Sequence, residues 1–308
     1  GNTIHNWDML ERGYTMHHAI SQDKQGNILA TVSKTSAKIA NGKDVRINDF
    51  IIMMDPEKGE ILQEWDLVHM LDSARYGMTD YDLTSDPFAQ SASNWAHNNG
   101  IVEWGDDYLA TARYQGIFKF NKAGGIEWII SPHGYWRDKY LKLLLNPLHA
   151  DGTPITDPEV IAGTKNCDDF EWPWGCHTAV PLPNGHILYF NNGYGRNFKL
   201  DFTDRKNIYT CGIEYEVDEV NRTVRQVWQY GKERGAAYFT PARSGVQYLE
   251  QTGNRLICPG MSNVLSNGNR GARVTEVDPE TQDVVFELEL EDAIYQRVYR
   301  MSLYPENQ

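Results

Sequence analysis

Short alternations of apolar and polar residues run along the whole chain, with turn-forming residues between them at even intervals. Such alternation predicts half-buried β-strands rather than helices. The pattern occurs four times, and each copy opens with two strands around a turn glycine. The opening segments read "HHAISQDKQGNILATVSK", "HNNGIVEWGDDYLATARYQG", "HTAVPLPNGHILYFNNGYGR" and "GVQYLEQTGNRLICPGMS".

Each opening segment is followed by a hairpin of two further alternating strands, with Asp, Asn, Pro and Gly where the chain reverses. The outer strand of each hairpin carries an aromatic residue in one register: Trp65, Trp128, Trp228 and Phe286. Four strands repeated in one pattern are typical of the blades of a β-propeller. We therefore predict an all-β fold, with residues 1–308 forming a partial β-propeller domain.

Two segments, 76–94 and 135–173, exceed what a compact blade needs. We expect loops there, the second with a short helix around "DKYLKLLL", because such insertions commonly build a substrate entrance. Trp7 takes the place of the outer-strand aromatic before the first copy, and "AIYQRVYRMSLYP" has the pattern of one more innermost strand. The chain is thus expected to supply four blades plus a strand at either end, with two further blades elsewhere.

The charge balance limits the possible partners. The chain has 29 Lys and Arg residues against 42 Asp and Glu residues, a formal charge of −13. This disfavours a nucleic-acid ligand, because phosphate contact needs a dense cationic face. No apolar run approaches the ~18 residues of a membrane-spanning helix. The sequence therefore predicts neither nucleic-acid binding nor a membrane span.

The four cysteines follow no metal-ligand spacing. Cys167 and Cys176 flank "DDFEWPWG", which is compatible with a short-loop disulfide and equally with two free thiols. Cys211 and Cys258 lie in apolar runs and are predicted to be small core residues.

Three histidines recur at one register, at the start of an innermost strand: His18, His97 and His177. Because that strand lines the channel of a propeller, equivalent residues of different blades are expected to converge. His17 is the neighbour that could take the place of His18. At the far end of the next strand the first two copies carry Lys34 and Arg113.

These residues favour an anion over a metal ion. Three histidines can bind zinc, but a guanidinium beside a cation is repulsive, and no Asp or Glu lies within two residues of the three. Arg113 and the amide of Asn99 instead supply hydrogen-bond donors for a tetrahedral oxyanion such as sulfate or phosphate. Lys34 and Arg196 are further candidate cations. A metal site and purely structural histidines remain the alternatives.

Other chemistries have weaker support. Ser244 stands at the equivalent position of the fourth copy but lacks a nucleophile-elbow motif, so we predict a channel hydroxyl that contacts a ligand. The stretch "GYGRNF" departs from the dinucleotide pattern, and no phosphate loop occurs. The sequence predicts no cofactor.

Several motifs in order resemble the bacterial arylsulfate sulfotransferases, which move a sulfuryl group between phenols without a nucleotide sulfate donor. "WAHNNGI" is similar to the family's Trp-x-His-x-Asn strand, and "LATARYQGIFKF" to its Ser-x-Arg-His/Tyr-Gln segment. "CHTAVPLPNGHILYFNNGYGR" resembles the family's Gln-His segment. "WQYGKERGAAYF" resembles its Tyr-Gly-Lys-Glu-Arg-Gly stretch, and "YRMSLYP" its terminal strand. The likeness runs through almost the whole chain, with Cys176 in place of the usual polar residue before His177.

The resemblance implies a six-bladed propeller with an additional N-terminal β-sandwich-like domain, active as a periplasmic homodimer. It also implies that a histidine is transiently sulfated while two histidines and an arginine hold the sulfuryl oxygens. Matched motif by motif, His177 is the sulfated residue, and His18, His97 and Arg113 hold the oxygens. Aryl sulfate donors and phenolic acceptors are the implied partners.

A neutral imidazole is a competent nucleophile, which agrees with these implied roles. We expect His18 to bind the sulfuryl oxygens or to protonate the departing phenolate. Attack of a second phenol on the sulfated histidine would then give ping-pong kinetics. Aromatic acceptors would enter past one of four aromatic residues, and for each of these packing within a blade is the alternative: Trp95, Trp172, Trp174 and Tyr238. The other hypotheses are a metal-dependent or non-catalytic ligand-binding propeller, and a sulfatase-like hydrolase.

Overall fold

The computed structural model describes residues 2–34, 39–40, 45–46, 49–75, 95–200, 203–262 and 271–291. Contacts divide the chain into two compact units, an N-terminal unit (Gly1–Leu145) and a C-terminal unit (Asn146–Gln308). Most of the regular structure is β-strand. In the N-terminal unit the strands are β1 (Tyr14–Gln22), β2 (Ile28–Lys34), β3 (Ile39–Ala40), β4 (Val45–Arg46), β5 (Asp49–Met54), β6 (Ile61–Asp66), β7 (Asn98–Trp104), β8 (Asp107–Ala112), β9 (Gly116–Phe120) and β10 (Ile126–Ile130).

The C-terminal unit continues in the same manner. Its strands are β11 (Asn146–Leu148), β12 (Ala179–Pro181), β13 (Ile187–Asn191), β14 (Cys211–Asp218), β15 (Thr223–Tyr230), β16 (Gly245–Tyr248), β17 (Arg255–Cys258), β18 (Ala272–Val277) and β19 (Val284–Leu290). The described helices are short: α1 (Leu67–Met70), α2 (Asp138–Leu141), α3 (Pro158–Ala162), and the 3₁₀ turns Arg196–Phe198 and Lys232–Ala237.

Each of the four sequence repeats folds into its own antiparallel sheet. The strand orders are β1-β2-β5-β6 and β7-β8-β9-β10 in the N-terminal unit, and β12-β13-β14-β15 and β16-β17-β18-β19 in the C-terminal unit. The strands β3 and β4 form a separate small hairpin. The predicted all-β class and the four-stranded repeats are confirmed. This arrangement is compatible with a propeller, whose closure stays a prediction, as does the single domain of residues 1–308.

Apolar faces of neighbouring sheets pack on one another within each unit. In the N-terminal unit, Ile51 and Trp65 of the first sheet share one buried cluster with Tyr108 and Phe120 of the second. In the C-terminal unit, Phe190 of the third sheet shares a cluster with residues of the fourth, among them Ile257. The predicted period-two pattern therefore marks sheet faces that are buried between sheets.

Two tryptophans of the recurring register, Trp7 and Trp65, contact a hairpin turn of the sheet that follows them. Trp65 Nε1 donates to the carbonyl of Lys122, 3.0 Å away, and its ring lies against Gly124. Trp7 makes the same contact one sheet earlier, donating to the carbonyl of Pro56 at 2.9 Å. Trp7 thus takes the predicted place of an outer-strand aromatic, although residues 2–8 form no strand.

The second insertion adds secondary structure to the third sheet. The predicted helix is α2, and after it β11 pairs in parallel with the outer strand β15. This fifth strand was not predicted. The first insertion, 76–94, and the terminal "AIYQRVYRMSLYP" lie outside the described residues. None of the described helices is long and apolar enough to cross a membrane.

The close approach of Gly116 to Ile130 offers a test of the packing inside the second sheet. A Cβ on this residue would stand 2.3 Å from the carbonyl oxygen of Ile130, and its φ is +102°. Gly105 also has positive φ (+66°), but nothing lies within 4 Å of its Cβ position. We expect Gly105→Ala to lower the free energy of unfolding by about 1 kcal/mol through backbone strain alone. Gly116→Ala should lower it by about 3 kcal/mol, because overpacking adds to the strain.

Urea denaturation of the two variants measures the difference through the midpoint at constant m-value. Equal losses in both would show that the close approach of Gly116 to Ile130 is not part of the folded state.

Candidate active site

His18 and His97 lie together in the N-terminal unit. Their ring centroids are 4.8 Å apart at an angle of 60°. Both residues have φ of 53°, in the left-handed region that non-glycine residues seldom adopt. The equal angles favour His18, rather than His17, as the structural equivalent of His97, a choice that the sequence left open.

A bulge in β1 produces the unusual backbone at His18. The pairing of β1 with β2 shifts register between Met16 and Ile20. Thr31 of β2 holds the bulge with its hydroxyl, which donates to the carbonyl of His17 and accepts from the N–H of Ala19 at 3.0 Å. A bulge of this kind re-aims a side chain, and here it directs His18 toward His97.

A carboxylate that the sequence did not reveal stands behind His18. Asp49 is buried at the start of β5, and its Oδ1 is 3.4 Å from His17 Nε2. His17 Nδ1 is in turn 2.8 Å from His18 Nδ1. His17 Nε2 makes no hydrogen bond to Asp49 or to any other described residue. The two imidazoles are thus joined through their Nδ1 atoms, and Asp49 lies beside the pair without a proton-relay contact.

Arg113 and Asn99 belong to the same neighbourhood. The backbone N–H of Arg113 donates to the carbonyl of His97 at 2.9 Å, and its guanidinium is 5.7 Å from the Tyr114 ring centroid. Tyr114 also meets the His97 ring edge-on, with centroids 6.0 Å apart. Arg113 and Asn99 are almost fully buried. The His18 ring, the Tyr114 ring and the backbone of Arg113 thus lie against His97, and the buried Asn99 follows it by two residues.

Lys34 forms an ion pair within its own sheet. Its Nζ donates to Glu64 Oε1 at 2.6 Å, and the same carboxylate accepts from the hydroxyl of Tyr14. Burial together with that carboxylate raises the pKa of Tyr14. The charge of Lys34 is therefore balanced inside the first sheet.

His177 has a defined tautomer in the C-terminal unit. Its Nδ1 is 2.6 Å from Asn192 Oδ1, and its Nε2 accepts the backbone N–H of Arg243 at 3.0 Å. The Asn192 amide is oriented by its own donors, since Nδ2 donates to the carbonyls of Thr240 and Arg243. Asn192 Oδ1 must accept, so the proton of His177 lies on Nδ1 and the lone pair on Nε2. The ring is 3% exposed.

The segment that faces Nε2 is strained. Arg243 and Ser244 have φ of 65° and 98°, two successive positive values without glycine. Ser244 Oγ accepts the N–H of Gly260 at 2.9 Å, so this hydroxyl helps to hold the segment in place. Thr240 Oγ1 accepts the N–H of Met261 and donates to the carbonyl of Ala242. Strained backbone of this kind is concentrated at functional sites.

Arg196 is committed to a buried ion pair. Its Nε and Nη2 are 2.7 and 2.6 Å from Glu171 Oε1, and its guanidinium stacks on Tyr209 at 3.7 Å from the ring centroid. Burial alone would lower the pKa of Arg196, but the Glu171 carboxylate reverses this and raises it. Burial and the same carboxylate also raise the pKa of the Tyr209 hydroxyl. The positive charge of Arg196 is therefore used in a buried ion pair with Glu171, whereas the sequence predicted that it would contact a ligand.

The predicted aromatic entrance residues are buried. Tyr238 is 1% exposed, donates to Thr275 Oγ1 at 2.9 Å, and belongs to the apolar cluster between the third and fourth sheets. Trp95, Trp172 and Trp174 are buried as well. Their burial agrees with the alternative prediction, that these aromatic side chains pack inside the fold.

The cysteines are free thiols, so the described structure contains no Cys167–Cys176 disulfide. Within the described ranges, one group of three metal-capable side chains is close enough to share an ion, and it does not include the recurring histidines. It consists of His149, Cys167 and Asp169.

Comparison with known proteins gives one consistent family. A family model described as arylsulfotransferase (ASST) matches residues 1–300. The arylsulfate sulfotransferase AssT of Escherichia coli O6:H1 (strain CFT073) is 29% identical over 325 residues, 96% of this chain and 54% of that protein. The protein of the same name from Lelliottia amnigena is also 29% identical, over 326 residues with the same coverage. The chain spans about half the length of these curated relatives.

Among solved structures, that of a putative 6-phosphogluconolactonase from Bacteroides uniformis ATCC 8492 matches with a TM-score of 0.37 and 11% identity. The match covers 90% of this chain and 72% of that chain. A similarity this low carries no argument about fold or function.

The tautomer of His177 can be measured directly. We expect ¹⁵N NMR of histidine-labelled protein to show a protonated Nδ1 and an unprotonated Nε2 at His177. In Asn192→Ala the ring should populate both tautomers, because the acceptor for Nδ1–H is gone. Thr210→Val is the matched control, since it removes a hydroxyl that bonds to the Asn192 carbonyl and leaves the contact with His177. A protonated Nε2 in the unaltered protein would contradict the assignment.

Proposed function

Because this chain belongs to the arylsulfotransferase family, we propose that it transfers a sulfuryl group from an aryl sulfate donor to a phenolic acceptor. We further propose that the group passes through His177 by a ping-pong mechanism, without a nucleotide sulfate donor. The names of the curated relatives support the reaction class. The chemistry of His177 supports the route.

The observation that carries this proposal is the Nδ1–H tautomer of His177. Asn192 holds the proton on Nδ1, so Nε2 presents an in-plane lone pair and the imidazole is neutral. A neutral imidazole with an unprotonated nitrogen is the form that attacks an electrophilic centre. In the resting structure Nε2 accepts the Arg243 N–H.

Binding of the aryl sulfate donor would replace the hydrogen bond between the Arg243 N–H and His177 Nε2. In the first half-reaction a bond forms between Nε2 and sulfur, and the bond between sulfur and the aryl oxygen breaks. The departing phenolate takes a proton from a general acid, because an unprotonated phenolate is a poor leaving group. Once displaced from Nε2, the Arg243 N–H can donate to a sulfuryl oxygen.

The second half-reaction is the reverse with another phenol. The acceptor loses its proton to the same group, its oxygen attacks sulfur, and the sulfur–nitrogen bond breaks. The net change is exchange of the sulfuryl group between two phenols. Transfer of this type depends on charge stabilisation at three equatorial oxygens and on in-line geometry, much as in phosphoryl transfer.

The family resemblance indicates which residues provide this stabilisation. We propose that His97, Arg113 and Asn99 donate to the sulfuryl oxygens and that His18 is the acid and base. Support for His18 comes from its contacts with the rings of His17 and His97. Lys34, Arg196 and Tyr238 already have partners within their sheets, so their predicted substrate contacts have no support in the geometry. Ser244 would act indirectly, because its hydroxyl helps to hold the backbone segment whose Arg243 N–H donates to His177.

The remaining expectations are proposals that follow from the family resemblance. They are a six-bladed propeller, a homodimer and a periplasmic location. Gel filtration with light scattering tests the oligomeric state.

A trapped intermediate tests the route through His177. Brief exposure to an aryl sulfate without acceptor should add one sulfo group to the peptide that contains His177, detected by peptide mass spectrometry at neutral pH. A phenol should then discharge it. His177→Ala should show no adduct and at least about a 10³-fold lower kcat, as expected for loss of a nucleophile. His186→Gln, a histidine of the same unit that pairs with Glu214, should retain both.

Parallel double-reciprocal plots for donor and acceptor would accompany that result. An intersecting pattern with no adduct in folded protein would remove the covalent route and favour direct transfer or non-catalytic binding.

Asp49 tests the importance of the carboxylate beside the two imidazoles. We expect Asp49→Asn to lower kcat by roughly 10-fold with little change in KM, because it removes the negative charge that faces His17. Asp66→Asn is the control, since it removes the charge beside another histidine of the same unit, His69, at 3.7 Å. An unchanged kcat in Asp49→Asn would assign Asp49 a purely structural role.

A further inference from the structure

Three side chains with different donor atoms meet in the C-terminal unit, apart from the groups that surround His177. Asp169 Oδ1 is 2.9 Å from His149 Nδ1 and 3.1 Å from Cys167 Sγ. One donor atom from each residue lies within 4.8 Å of the other two. We propose that His149, Cys167 and Asp169 form a binding site for a divalent transition metal ion of the zinc class, with a fourth position open to water.

The donor set selects the class of metal. An imidazole nitrogen, a thiolate and a carboxylate oxygen are the three ligand types of protein zinc sites. Magnesium and calcium prefer oxygen ligands alone, and a thiol and an imidazole do not suit them. Three protein ligands with an open fourth position differ from the closed four-ligand sites that only stabilise a fold. The side chains of His149 and Asp169 are 40% and 37% exposed, so an ion can reach them.

Two of the three donor-atom separations are close to those around a tetrahedral ion. Bonds of 2.0–2.3 Å place tetrahedral ligand atoms about 3.3–3.6 Å apart. The separations of 2.9 and 3.1 Å from Asp169 Oδ1 are a few tenths of an ångström shorter, as expected when protons rather than a metal join these groups, and the third separation is at most 4.8 Å.

Binding of the ion has a defined proton balance. In the metal-free protein, both His149 Nδ1–H and the Cys167 thiol donate to Asp169 Oδ1. A bound ion takes the place of both protons: the thiol proton leaves to solvent, and the imidazole carries its proton on Nε2 instead. No change of oxidation state is involved.

The backbone around the site is already ordered. His149 directly follows β11, and its N–H and carbonyl close a turn with Thr153 and Gly152 at 2.8 and 2.9 Å. The N–H of Ala150 donates to Asp169 Oδ2 at 2.9 Å, which leaves Oδ1 to bind the ion. This is the outer-shell contact that commonly orients a metal ligand. Phe170, next to Asp169, is buried against Trp172 and Tyr215.

The neighbouring cations have carboxylates of their own. Lys165 pairs with Asp157 at 2.7 Å, and Arg225, which donates to the Ala150 carbonyl, pairs with Glu216. The pair formed by His186 and Glu214 is a useful contrast in the same unit. It also joins an imidazole to a carboxylate, at 2.7 Å, but Arg255 occupies that carboxylate and no thiol takes part.

The test is a titration of the metal-free, reduced protein. Isothermal calorimetry with Zn²⁺ should show one site per chain. Co²⁺ in place of Zn²⁺ should give tetrahedral d–d bands and a thiolate-to-cobalt charge-transfer band. Cys167→Ser should abolish the charge-transfer band, and both Cys167→Ser and His149→Ala should weaken affinity by at least about 100-fold. His186→Gln should bind as the unaltered protein does.

A second measurement needs no variant. Cys167 is half-buried and the other three cysteines, which are all described, are buried. Alkylation in the native state should therefore modify Cys167 first, and Zn²⁺ should protect it in peptide mass spectrometry. The proposal would be overturned by the absence of stoichiometric binding or by a cobalt complex without a thiolate band. Zn²⁺ affinity unchanged in Cys167→Ser, or a Cys167–Cys176 disulfide in the purified protein, would overturn it too.

Discussion

Left-handed backbone at His18 and His97 is the constraint on which the arrangement of these two histidines depends. A non-glycine residue with positive φ persists only where the surrounding structure over-determines it. At His18 the bulge of β1 and the double hydrogen bond of Thr31 do this. At His97 the Arg113 N–H holds the carbonyl, and the β7 register shifts directly afterwards. Two sheets thus use the same device to bring two imidazoles within 4.8 Å.

Much of the fold could be predicted because it is encoded locally. Period-two alternation, turn residues and the recurring aromatics each act within one hairpin, so the four sheets and the role of Trp7 were predictable. The fifth strand β11 was not, because its residues "NPL" lack a strand pattern and pair only through β15. Its parallel pairing depends on the length of the insertion that precedes it, and no local signal reports this.

The repeats predicted which histidines to compare, but not the groups that surround them. They pointed to His18, His97 and His177, of which the structure brings His18 and His97 together, and they gave no information about hydrogen-bond or ion-pair partners. Asn192 follows His177 by 15 residues, and Glu64 follows Lys34 by 30. Such pairs are set by the stacking of strands, and a search for carboxylates within two residues of each histidine could not find Asp49. The same limit explains Arg196: its cationic charge was evident, but the Glu171 that neutralises it was not.

Backbone strain falls on different residues in the two units. In the N-terminal unit His18 and His97 themselves have positive φ, whereas in the C-terminal unit Arg243 and Ser244 do, and the Arg243 N–H donates to an unstrained His177. Strained residues cost on the order of 1–3 kcal/mol each and persist only where their surroundings hold them. The Ser244 hydroxyl, which accepts the Gly260 N–H, provides such support at the strained segment, while Asn192 orients the His177 ring from its other nitrogen.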